Sequence, residues 1–382
     1  MRLHLQNLQL RNFRSHRRLD LELSERVQVF IGPNGSGKSN ILEAIFILGQ
    51  GKSFRFSQVG DWITQGQKDC LVKAQIRMRG LSSELRLLAQ TTGKSFYCQE
   101  KKIPSKKLRN ILPLILFSPE SLESIKGSAE QRRNLLDDVV STSLTKGSHH
   151  LEAFSRLLKT RNRLLRNISQ NPEDKNSLDV LMSLQDLYLV QAAEVVALRL
   201  KIIRQLEAYL QDNIHRLTRQ NQRPVGIDYL ISGQKLDVPL EQVAAQAHRL
   251  MATRWQALHS TELSTGSSLI GPHKHDVQIQ MDGRDSRIFC SQGQQRTLIL
   301  AFKMAHIVYH GKTHEVDPLL LLDDVLSELD EATQKSFLEF LQEQSSQVIL
   351  TSTEMPDCIS HYSLKVTDLT TWTSKSEQGL WA

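Results

Sequence analysis

The chain has 382 residues, of which 40% are hydrophobic and 23% charged, and its formal net charge is +7. Its length allows two domains, or one domain with a large insertion, and its composition is that of an ordinary soluble globular protein. No apolar run reaches about 18 residues and the N-terminus lacks the apolar core of a secretory signal, so we expect a cytoplasmic protein with no membrane span. The four cysteines form no CxxC pair, which argues against a disulfide framework and a structural zinc site; the positive charge permits a polyanionic partner without requiring one.

The chain begins with short strands. Alternating apolar and polar residues predict strands at residues 3–10 and 19–23, and a short apolar run predicts a buried strand at residues 27–31. Residues 40–48 have the pattern of an apolar helix. Three strands before this helix are unlike a small GTPase, in which the phosphate loop follows the first strand.

A phosphate-binding loop lies between the third strand and this helix. Residues 32–39 fit the pattern G-x-x-x-x-G-K-[ST], in which backbone N–H groups close around phosphate oxygens and the helix N-terminus adds its positive end. We expect Lys38 to reach the β- and γ-phosphates of ATP, and the Ser39 hydroxyl to ligate Mg²⁺. The predicted nucleotide-binding residues of the loop are Gly32, Pro33, Asn34, Gly35, Ser36, Gly37, Lys38 and Ser39.

Beyond the loop helix the pattern is first β-rich and then helical. Strands at residues 71–78 and 83–89, with a turn at 91–94, predict a β-rich lobe beside the nucleotide site, and residues 111–117 predict a buried strand. From about residue 121 to about residue 260 the spacing is helical. Turn residues at 171–174 separate two long helices, which predicts an inserted helical hairpin. The next elements predicted are strands at 267–270 and 277–281, a helix at 297–309 and strands at 318–322 and 347–353.

Two groups of basic residues are candidate DNA contacts. Arg156, Lys159, Arg163 and Arg166 are spaced three, four and three residues apart, so they share one face of the first insertion helix. A solvated basic face is the alternative interpretation of this stripe. If DNA lies elsewhere, the next candidates are Lys52 and Arg55, together with the basic segment 101–109.

Two acids complete a nucleotide site. Four leucines lead into Asp323 and Asp324, which is the pattern of the Walker B strand that accompanies a phosphate loop. We expect Asp323 to hold Mg²⁺ and Asp324 to orient or deprotonate the attacking water. Most cassette ATPases have a glutamate at the second position, so the shorter Asp324 predicts slow hydrolysis.

A second phosphate contact is predicted before the acidic strand. Ser291, Gly293 and Gln294 stand at the start of a helix, where hydroxyl and glycine N–H groups favour an anion, although an ordinary helix cap has the same letters. The order of phosphate loop, helical insertion, this element and acidic strand is that of the ATP-binding cassette ATPases. In that class the signature element of one protomer completes the ATP site of another, which predicts an ATP-dependent homodimer.

The sequence resembles the RecF family of bacterial recombination-repair ATPases, which are related to the SMC proteins, nearly from end to end. The resemblance rests on residues 10–14, 32–45, 116–120, 126–137, 271–273, 291–297 and 321–330. It implies a weak DNA-stimulated ATPase that dimerises with ATP and binds gapped, single-stranded or junction DNA. It also implies work with RecO and RecR in loading RecA at gaps, and support of SOS induction. The implied fold is α/β, an ABC-type P-loop ATPase head with a β-rich lobe and an inserted α-helical domain, in segments 1–120, 121–262 and 263–382.

The sequence departs from the usual patterns at two places. His275 stands where the RecF family usually has an acid, and a surface replacement is the simplest interpretation. Residues 351–353 are Thr-Ser-Thr where transporter cassettes place a histidine, so the γ-phosphate sensor there is at best a hydroxyl. This difference argues against a transporter ATPase subunit. A DNA clamp with a vestigial ATPase is the other alternative, and the intact Lys38 and Asp323 argue against it.

Overall fold

The computed structural model describes residues 3–23, 25–55, 57–122, 124–144, 146–219, 223–314, 316–354 and 365–369. The chain divides into two compact units. Unit 1 comprises Met1–Leu122, Arg216–Arg219 and His310–Ala382, and unit 2 comprises Glu123–His215 and Gln220–Tyr309. The predicted segments 1–120, 121–262 and 263–382 were defined by the order of motifs along the chain, whereas the two units are defined by contacts in space. The segments remain a prediction.

Strands and helices are numbered in chain order over the described residues. The strands are β1 (Leu3–Phe13), β2 (His16–Glu22), β3 (Val27–Ile31), β4 (Asp69–Met78), β5 (Leu81–Gln90), β6 (Gly93–Cys98), β7 (Lys101–Ile103), β8 (Leu114–Phe117), β9 (Val225–Ile231), β10 (Gln234–Lys235), β11 (Asp276–Met281), β12 (Arg284–Asp285), β13 (Leu319–Asp323), β14 (Val348–Ser352) and β15 (Lys365–Asp368). The helices are α1 (Lys38–Gln50), α2 (Leu108–Ile111), α3 (Pro119–Leu122), α4 (Ala129–Ser143), α5 (Gly147–Gln170), α6 (Lys175–Thr218), α7 (Leu240–Thr265), α8 (Ser286–Phe289), α9 (Gln292–Thr313) and α10 (Glu331–Glu343).

A parallel sheet in unit 1 positions the predicted motifs. Its five strands run in the order β15-β3-β14-β13-β8. Strands β13 and β14 are buried along their whole length, as apolar runs in a parallel sheet require. Strand β14 pairs with β3 on one side and with β13 on the other. The phosphate loop after β3 and the acids at the end of β13 are therefore separated by one strand, at the same edge of the sheet.

The second sheet of unit 1 is the predicted β-rich lobe. It has six strands in the order β2-β1-β4-β5-β6-β7, and its neighbours pair antiparallel. Strand β4 alternates buried and half-buried residues, so one face of the sheet contributes to the core. Helix α1 belongs to the same core, since Ile41, Leu42, Ile45 and Leu48 are fully buried. The loop helix is thus fixed by packing along most of its surface.

Unit 2 contains the helical insertion and a sheet that the sequence did not predict. Helices α5 and α6 form the predicted pair, broken at residues 171–174. The prediction of helix from 121 to 260 was wrong at residues 225–235, where β9 and β10 join β11 and β12 in a four-stranded sheet. Val225–Ile231 alternates at its start and buries Tyr229 and Ile231, which is a strand pattern.

The strand predicted at residues 267–270 does not form. The backbone N–H of Ser268 donates to Asn162 Oδ1 at 2.8 Å, and that of Leu269 donates to Glu262 Oε1 at 2.7 Å. Because side chains satisfy these donors, the segment follows an irregular path without a partner strand. The predicted strand 111–117 also begins later, at Leu114, since Leu108–Ile111 is the short helix α2.

Helix α6 is the one helix among the described residues that could span a membrane by length and composition. Its most apolar 18-residue window has a mean hydropathy of 1.3, and 44% of that window is buried in the protein. Core helices of soluble proteins pass the same test. Helix α6 packs polar groups inside unit 2, where Arg199 donates to both carboxylate oxygens of Asp137 at 2.8 Å. The absence of a membrane partner remains a prediction.

Candidate nucleotide-binding site

The loop at residues 32–39 turns from β3 into the N-terminus of α1. Gly35 and Gly37 have φ angles of 87° and 93°, in the left-handed region that favours glycine. A Cβ on Gly37 would lie 2.6 Å from His16 Nε2, so a side chain there would also clash. None of the described residues supplies a side-chain cap to α1. The Asn40 N–H donates to the Gly37 carbonyl at 3.0 Å, so an anion at this end of the helix would meet the N–H groups of Lys38 and Ser39.

Lys38 is buried at the start of α1 and faces back into the loop. Its ammonium donates to the carbonyl oxygens of Gly32 at 2.5 Å and of Pro33 at 3.0 Å. Burial lowers the pKa of Lys38, while the negative charges of Asp324 and Asp323 raise it. The lysine and both predicted acids therefore share one electrostatic environment.

Asp323 and Asp324 follow the last leucines of β13, and both are held by Thr351 on β14. The Thr351 hydroxyl donates to Asp323 Oδ1 at 2.9 Å, and it accepts the backbone N–H of Asp324 at 3.0 Å. Asp323 and Thr351 are register partners in the sheet. Asp324 has a φ of 50°, a left-handed conformation that carries strain in a residue other than glycine. Thr351 thus fixes the orientation of the pair.

The site contains buried polar atoms without partners. Among the described residues, Ser36 Oγ and Asp324 Oδ1 are buried and make no hydrogen bond. The described residues include other such atoms, Gln185 Nε2 among them, so these two matter because of where they lie; each loses its solvation without compensation. Their presence in a glycine-lined loop and opposite it, at a strand end, is what a site for a polar ligand requires.

Burial dominates the electrostatics of the two acids. It raises the pKa of Asp323, and hydrogen bonds from the Ser39 and Thr351 hydroxyls act in the opposite direction. Burial also raises the pKa of Asp324, against the charge of Lys38 and together with the charge of Asp323. A buried carboxylate beside a half-buried one favours a cation, and the Ser39 hydroxyl meets Asp323 as the predicted ligand pair should. These residues fit a magnesium–triphosphate complex.

The predicted signature residues lie in unit 2, at the start of α9. Ser291 N–H donates to Gln294 Oε1 at 2.9 Å and Gln294 N–H donates to Ser291 Oγ at 3.3 Å, which forms a capping box. Ser291 and Gly293 are exposed, and no atom lies within 4 Å of a Cβ added at Gly293. These hydrogen bonds are those of an ordinary helix cap, as the alternative interpretation predicts. Because the N–H groups of Gln294 and Gln295 already donate to Ser291, an anion at the exposed start of α9 would meet those of Gln292 and Gly293.

His275 is not a surface replacement. It is 4% exposed, and its Nδ1 lies 3.0 Å from the Tyr229 hydroxyl. Burial and the charge of Arg199 lower its pKa to about 3, so it is neutral. The neighbouring Asp276 accepts two hydrogen bonds from Arg132, at 2.9 and 2.8 Å. His275 lies directly before β11 and packs against Tyr229 of β9, a strand that the sequence did not predict.

The candidate DNA-binding residues lie on the surfaces of their units. Arg156, Lys159, Arg163 and Arg166 are all exposed on α5, and Glu152 comes within 3.7 Å of Arg156. In unit 1, Lys52 is exposed, whereas Arg55 donates to Asn40 Oδ1 at 2.9 Å. The stripe on α5 is thus a continuous basic face, as the spacing predicts.

Sequence reasoning missed a buried carboxylate under the loop helix. Glu43 on α1 accepts hydrogen bonds from Arg14 at 2.6 and 3.0 Å and from the Ser53 hydroxyl at 2.6 Å. The Ser57 hydroxyl donates to the same carboxylate at 3.2 Å. The sequence offered one signal: Glu43 is a charged residue in an otherwise apolar helix, and Arg14 stands in an upstream motif. Its partners could be known only from the fold.

Comparison with known proteins identifies the family. The RecF/RecN/SMC N terminal domain family matches residues 4–367. The chain is 31% identical over 363 residues to the DNA replication and repair protein RecF of Ruminiclostridium cellulolyticum, covering 92% of this chain and 93% of that protein. It is 34% identical to RecF of Symbiobacterium thermophilum, over 93% of this chain and 92% of that protein.

Solved structures agree. A structure described as the recombination mediator protein RecF with ATP in the RecFOR pathway has a TM-score of 0.82 and 27% identity, covering 93% of each chain. An Smc head domain from Pyrococcus furiosus, bound to part of ScpA, has a TM-score of 0.54 at 16% identity, over 94% of this chain and 91% of that one. The predicted fold class is confirmed: a head-like mixed α/β ATPase fold with a helical insertion and an antiparallel β lobe. On these grounds the chain belongs to the RecF family of DNA replication and repair proteins.

Proposed function

We propose that the protein is an ATP-dependent DNA-binding protein whose nucleotide site lies at residues 32–39 and 323–324. The observation that carries this proposal is the meeting of an uncapped loop helix with Asp323, which is buried, and Asp324, which is half-buried. Lys38 lies in the field of both acids, and Ser36 Oγ and Asp324 Oδ1 are buried without partners among the described residues. An ATP-bound RecF structure of the same fold supports the choice of nucleotide.

Each residue of the site has a distinct role. The loop N–H groups and Lys38 bind the phosphates, and Lys38 exchanges its present carbonyl acceptors for phosphate oxygens. Asp324 orients the attacking water and accepts its proton, for which it must be ionised. Thr351 keeps Asp323 and Asp324 in place during this work.

Magnesium would be held by Ser39 and Asp323. When bound, it supplies positive charge that offsets the negative charge developing on the phosphate oxygens. Asp323 is suited to this role because its carboxylate is buried and hydrogen-bonded on one oxygen to Thr351.

ATP joins two copies of the chain in this proposal. The exposed Ser291 and Gly293 and the half-buried Gln294 at the start of α9 contact the nucleotide bound by the partner copy. Two such copies bind DNA through basic surfaces that contact phosphates without reading sequence, and the α5 stripe is the first candidate. Membership of the RecF family extends the proposal to gapped DNA, RecO, RecR, RecA loading, SOS induction and a cytoplasmic location. Turnover is slow.

The test is DNA-stimulated phosphate release by the purified protein, with light scattering to follow dimer mass. Lys38→Ala should lose ATP binding, ATP-dependent dimerisation and DNA association together. Lys335→Ala removes an equivalent charge from an exposed position of α10 and should behave as wild type. Equal dimer mass for wild type and Lys38→Ala with ATP present would contradict the proposal.

The signature contact is tested separately. Ser291→Arg should leave ATP binding to the monomer intact and block hydrolysis, because the added side chain excludes the γ-phosphate held by the partner copy. Ser183→Arg, at another exposed position of unit 2, is the matched control. Failure of Ser291→Arg to bind ATP at all would assign the signature to its own site instead.

A further inference from the structure

A cavity of about 530 Å³ opens in unit 1, beside the C-terminal end of the loop helix α1. One wall is the segment that follows α1, including Lys52, Ser53 and Trp62. The other wall is the turn between β5 and β6, from Thr91 to Lys94. This volume is within the usual range of ligand sites, about 300–1,000 Å³.

The cavity has the polarity of an anion site. Its described lining residues include two lysines, Lys52 and Lys94, with the hydroxyls of Thr91 and Thr92, and none of them carries a carboxylate. The nearest acid in sequence, Asp61, is engaged because it accepts the Gln58 N–H at 2.8 Å. The buried carboxylate next to the wall, that of Glu43, is paired with Arg14. Positive charge beside hydroxyl groups at the rim favours a phosphate group.

Lys94 is held in a defined position above the cavity floor. Its ammonium donates to the carbonyl of Gly51 at 2.7 Å and lies 4.8 Å from the centre of the Trp62 ring. The Trp62 ring is itself fixed, because its Nε1 donates to the Ser57 hydroxyl at 3.1 Å. Burial lowers the pKa of Lys94, which shows that its charge is partly removed from water. An anionic oxygen beside the Lys94 ammonium would replace the contacts with water that the ammonium has lost.

We propose that this cavity binds a phosphate group of the nucleic-acid backbone through Lys52, Lys94 and the Thr91–Thr92 turn. The proposal rests on the proposed function and makes it more specific, since it assigns a phosphate subsite outside the α5 stripe. All four side chains are exposed at the rim, so a backbone passing over the surface can reach them. A free nucleotide or pyrophosphate carries the same chemistry and is the other possible source of the phosphate.

The cavity is also connected to the phosphate loop through α1. Lys94 binds the carbonyl of Gly51, the residue that caps the C-terminal end of α1. Two wall hydroxyls, those of Ser53 and Ser57, donate to Glu43 on the same helix. A phosphate that draws Lys94 away from Gly51 changes the end of the helix whose other end holds Lys38. DNA bound here therefore acts on the nucleotide site.

The experiment measures anisotropy of a labelled duplex across a potassium chloride series with ATP. We compare wild type, Lys52→Gln, Lys94→Gln and the control Lys68→Gln, which removes an exposed charge from the same unit. Lys52→Gln and Lys94→Gln should each reduce the slope of log affinity against log salt by about 0.9, and Lys68→Gln should not. Since Lys94 also binds Gly51, Lys52→Gln tests the site without disturbing the helix end.

Two further measurements separate the outcomes. At saturating DNA, Lys94→Gln should show less DNA stimulation of phosphate release than Lys52→Gln, because only Lys94 contacts the end of α1. Calorimetric titration with pyrophosphate identifies the source of the phosphate. If wild type binds pyrophosphate, both variants lose that binding and their DNA salt slopes are unchanged, the ligand is a small phosphate and the backbone proposal is overturned. Unchanged DNA slopes and no pyrophosphate binding would overturn the site altogether. Wild type that binds no DNA would instead contradict the proposed function.

Discussion

Units 1 and 2 each bury a group of charged side chains, and the two groups are satisfied very differently. In unit 2, Arg161 and Glu262 are 2% and 0% exposed and form two hydrogen bonds, at 3.0 and 2.7 Å. Ser268 and Gln185 accept further bonds from the same guanidinium, at 2.7 and 3.2 Å. In unit 1, Asp324 keeps a buried oxygen without a partner among the described residues, and its pKa is raised.

Under the proposed function, this difference is the one expected between a structural cluster and a nucleotide site. Buried ions that satisfy one another hold a fold together, and removal of one partner leaves an uncompensated charge. Buried ions that remain unsatisfied carry a cost that a ligand can offset, so functional sites tend to reduce stability. The following substitutions test this contrast from opposite sides.

Asp324→Asn should have the largest effect, and on activity rather than stability. We expect hydrolysis to fall by roughly 10²–10⁴-fold, because the amide cannot accept the proton of the attacking water. ATP binding should persist and ATP-bound dimers should accumulate on DNA. The urea midpoint should not fall, since the substitution removes a buried charge. Single-turnover phosphate release is the measurement, with Asp20→Asn, an exposed acid of unit 1, as control. Unchanged turnover would mean that another group positions the water.

Glu262→Gln should have the reverse profile. The substitution leaves the Arg161 charge buried without its counter-ion, so we expect a loss of about 3–5 kcal/mol in the free energy of unfolding. Glu152→Gln is the matched control, because its partner Arg156 is 67% exposed and such pairs contribute about 0–1 kcal/mol. Urea unfolding of both variants decides the point. Equal midpoints would show that burial does not distinguish the two pairs.

Thr351→Val should have a smaller effect that separates positioning from binding. It leaves the Asp324 N–H without its acceptor and Asp323 Oδ1 without its donor, so we expect the free energy of unfolding to fall by about 1–3 kcal/mol. We expect kcat to fall roughly tenfold while KM for ATP changes little. Thr351→Ser keeps the hydroxyl and should restore turnover. A serine variant as slow as the valine variant would assign the role to the methyl group instead.

The smallest effect concerns pH, and its sign differs between the units. Burial raises the pKa of Asp324, so the stability gained by Asp324→Asn should shrink as the pH falls through that raised pKa, because the wild-type carboxyl then becomes neutral as well. Asp276 has a lowered pKa: burial raises it, but hydrogen bonds from Arg132 and the Val277 N–H outweigh that effect. The loss caused by Asp276→Asn should therefore persist to about pH 4 and shrink only below it. Free energies of unfolding from urea titrations between pH 7 and pH 3 provide the measurement, with expected differences on the order of 1 kcal/mol. If the effects of Asp324→Asn and Asp276→Asn on stability changed over the same pH range, the opposite pKa shifts of the two carboxyls would be contradicted.

The sequence predicted the elements that depend on local pattern. The strand Val27–Ile31 was predicted with the bounds that the structure has, because it is a short apolar run between polar residues. The two long insertion helices and their break at 171–174 also follow from spacing and turn residues. The basic stripe on α5 is exposed because 3.6-residue periodicity places it opposite Leu165 and Ile168.

Errors arose where side chains from distant segments decide the backbone. Residues 267–270 are apolar enough for a strand, but Asn162 and Glu262 take their N–H groups. Val225–Ile231 lies within a helical region and forms a strand because β11 pairs with it, from Asp276 to Met281. His275 looks like a surface residue in sequence and is enclosed by Tyr229 and Arg199 in the fold.

By itself the sequence established a local pattern: a glycine loop with Lys38 and Ser39, and an apolar strand that ends in Asp323 and Asp324. These residues are recognisable because phosphate and magnesium chemistry requires particular groups at fixed local spacing. Only the tertiary structure decided which hydroxyl orients the acids, since Thr351 reaches them by lying on the strand between the two motifs. It alone also brought Lys94 to the end of α1, because a hydrogen bond between residues 43 positions apart leaves no periodic trace in the sequence.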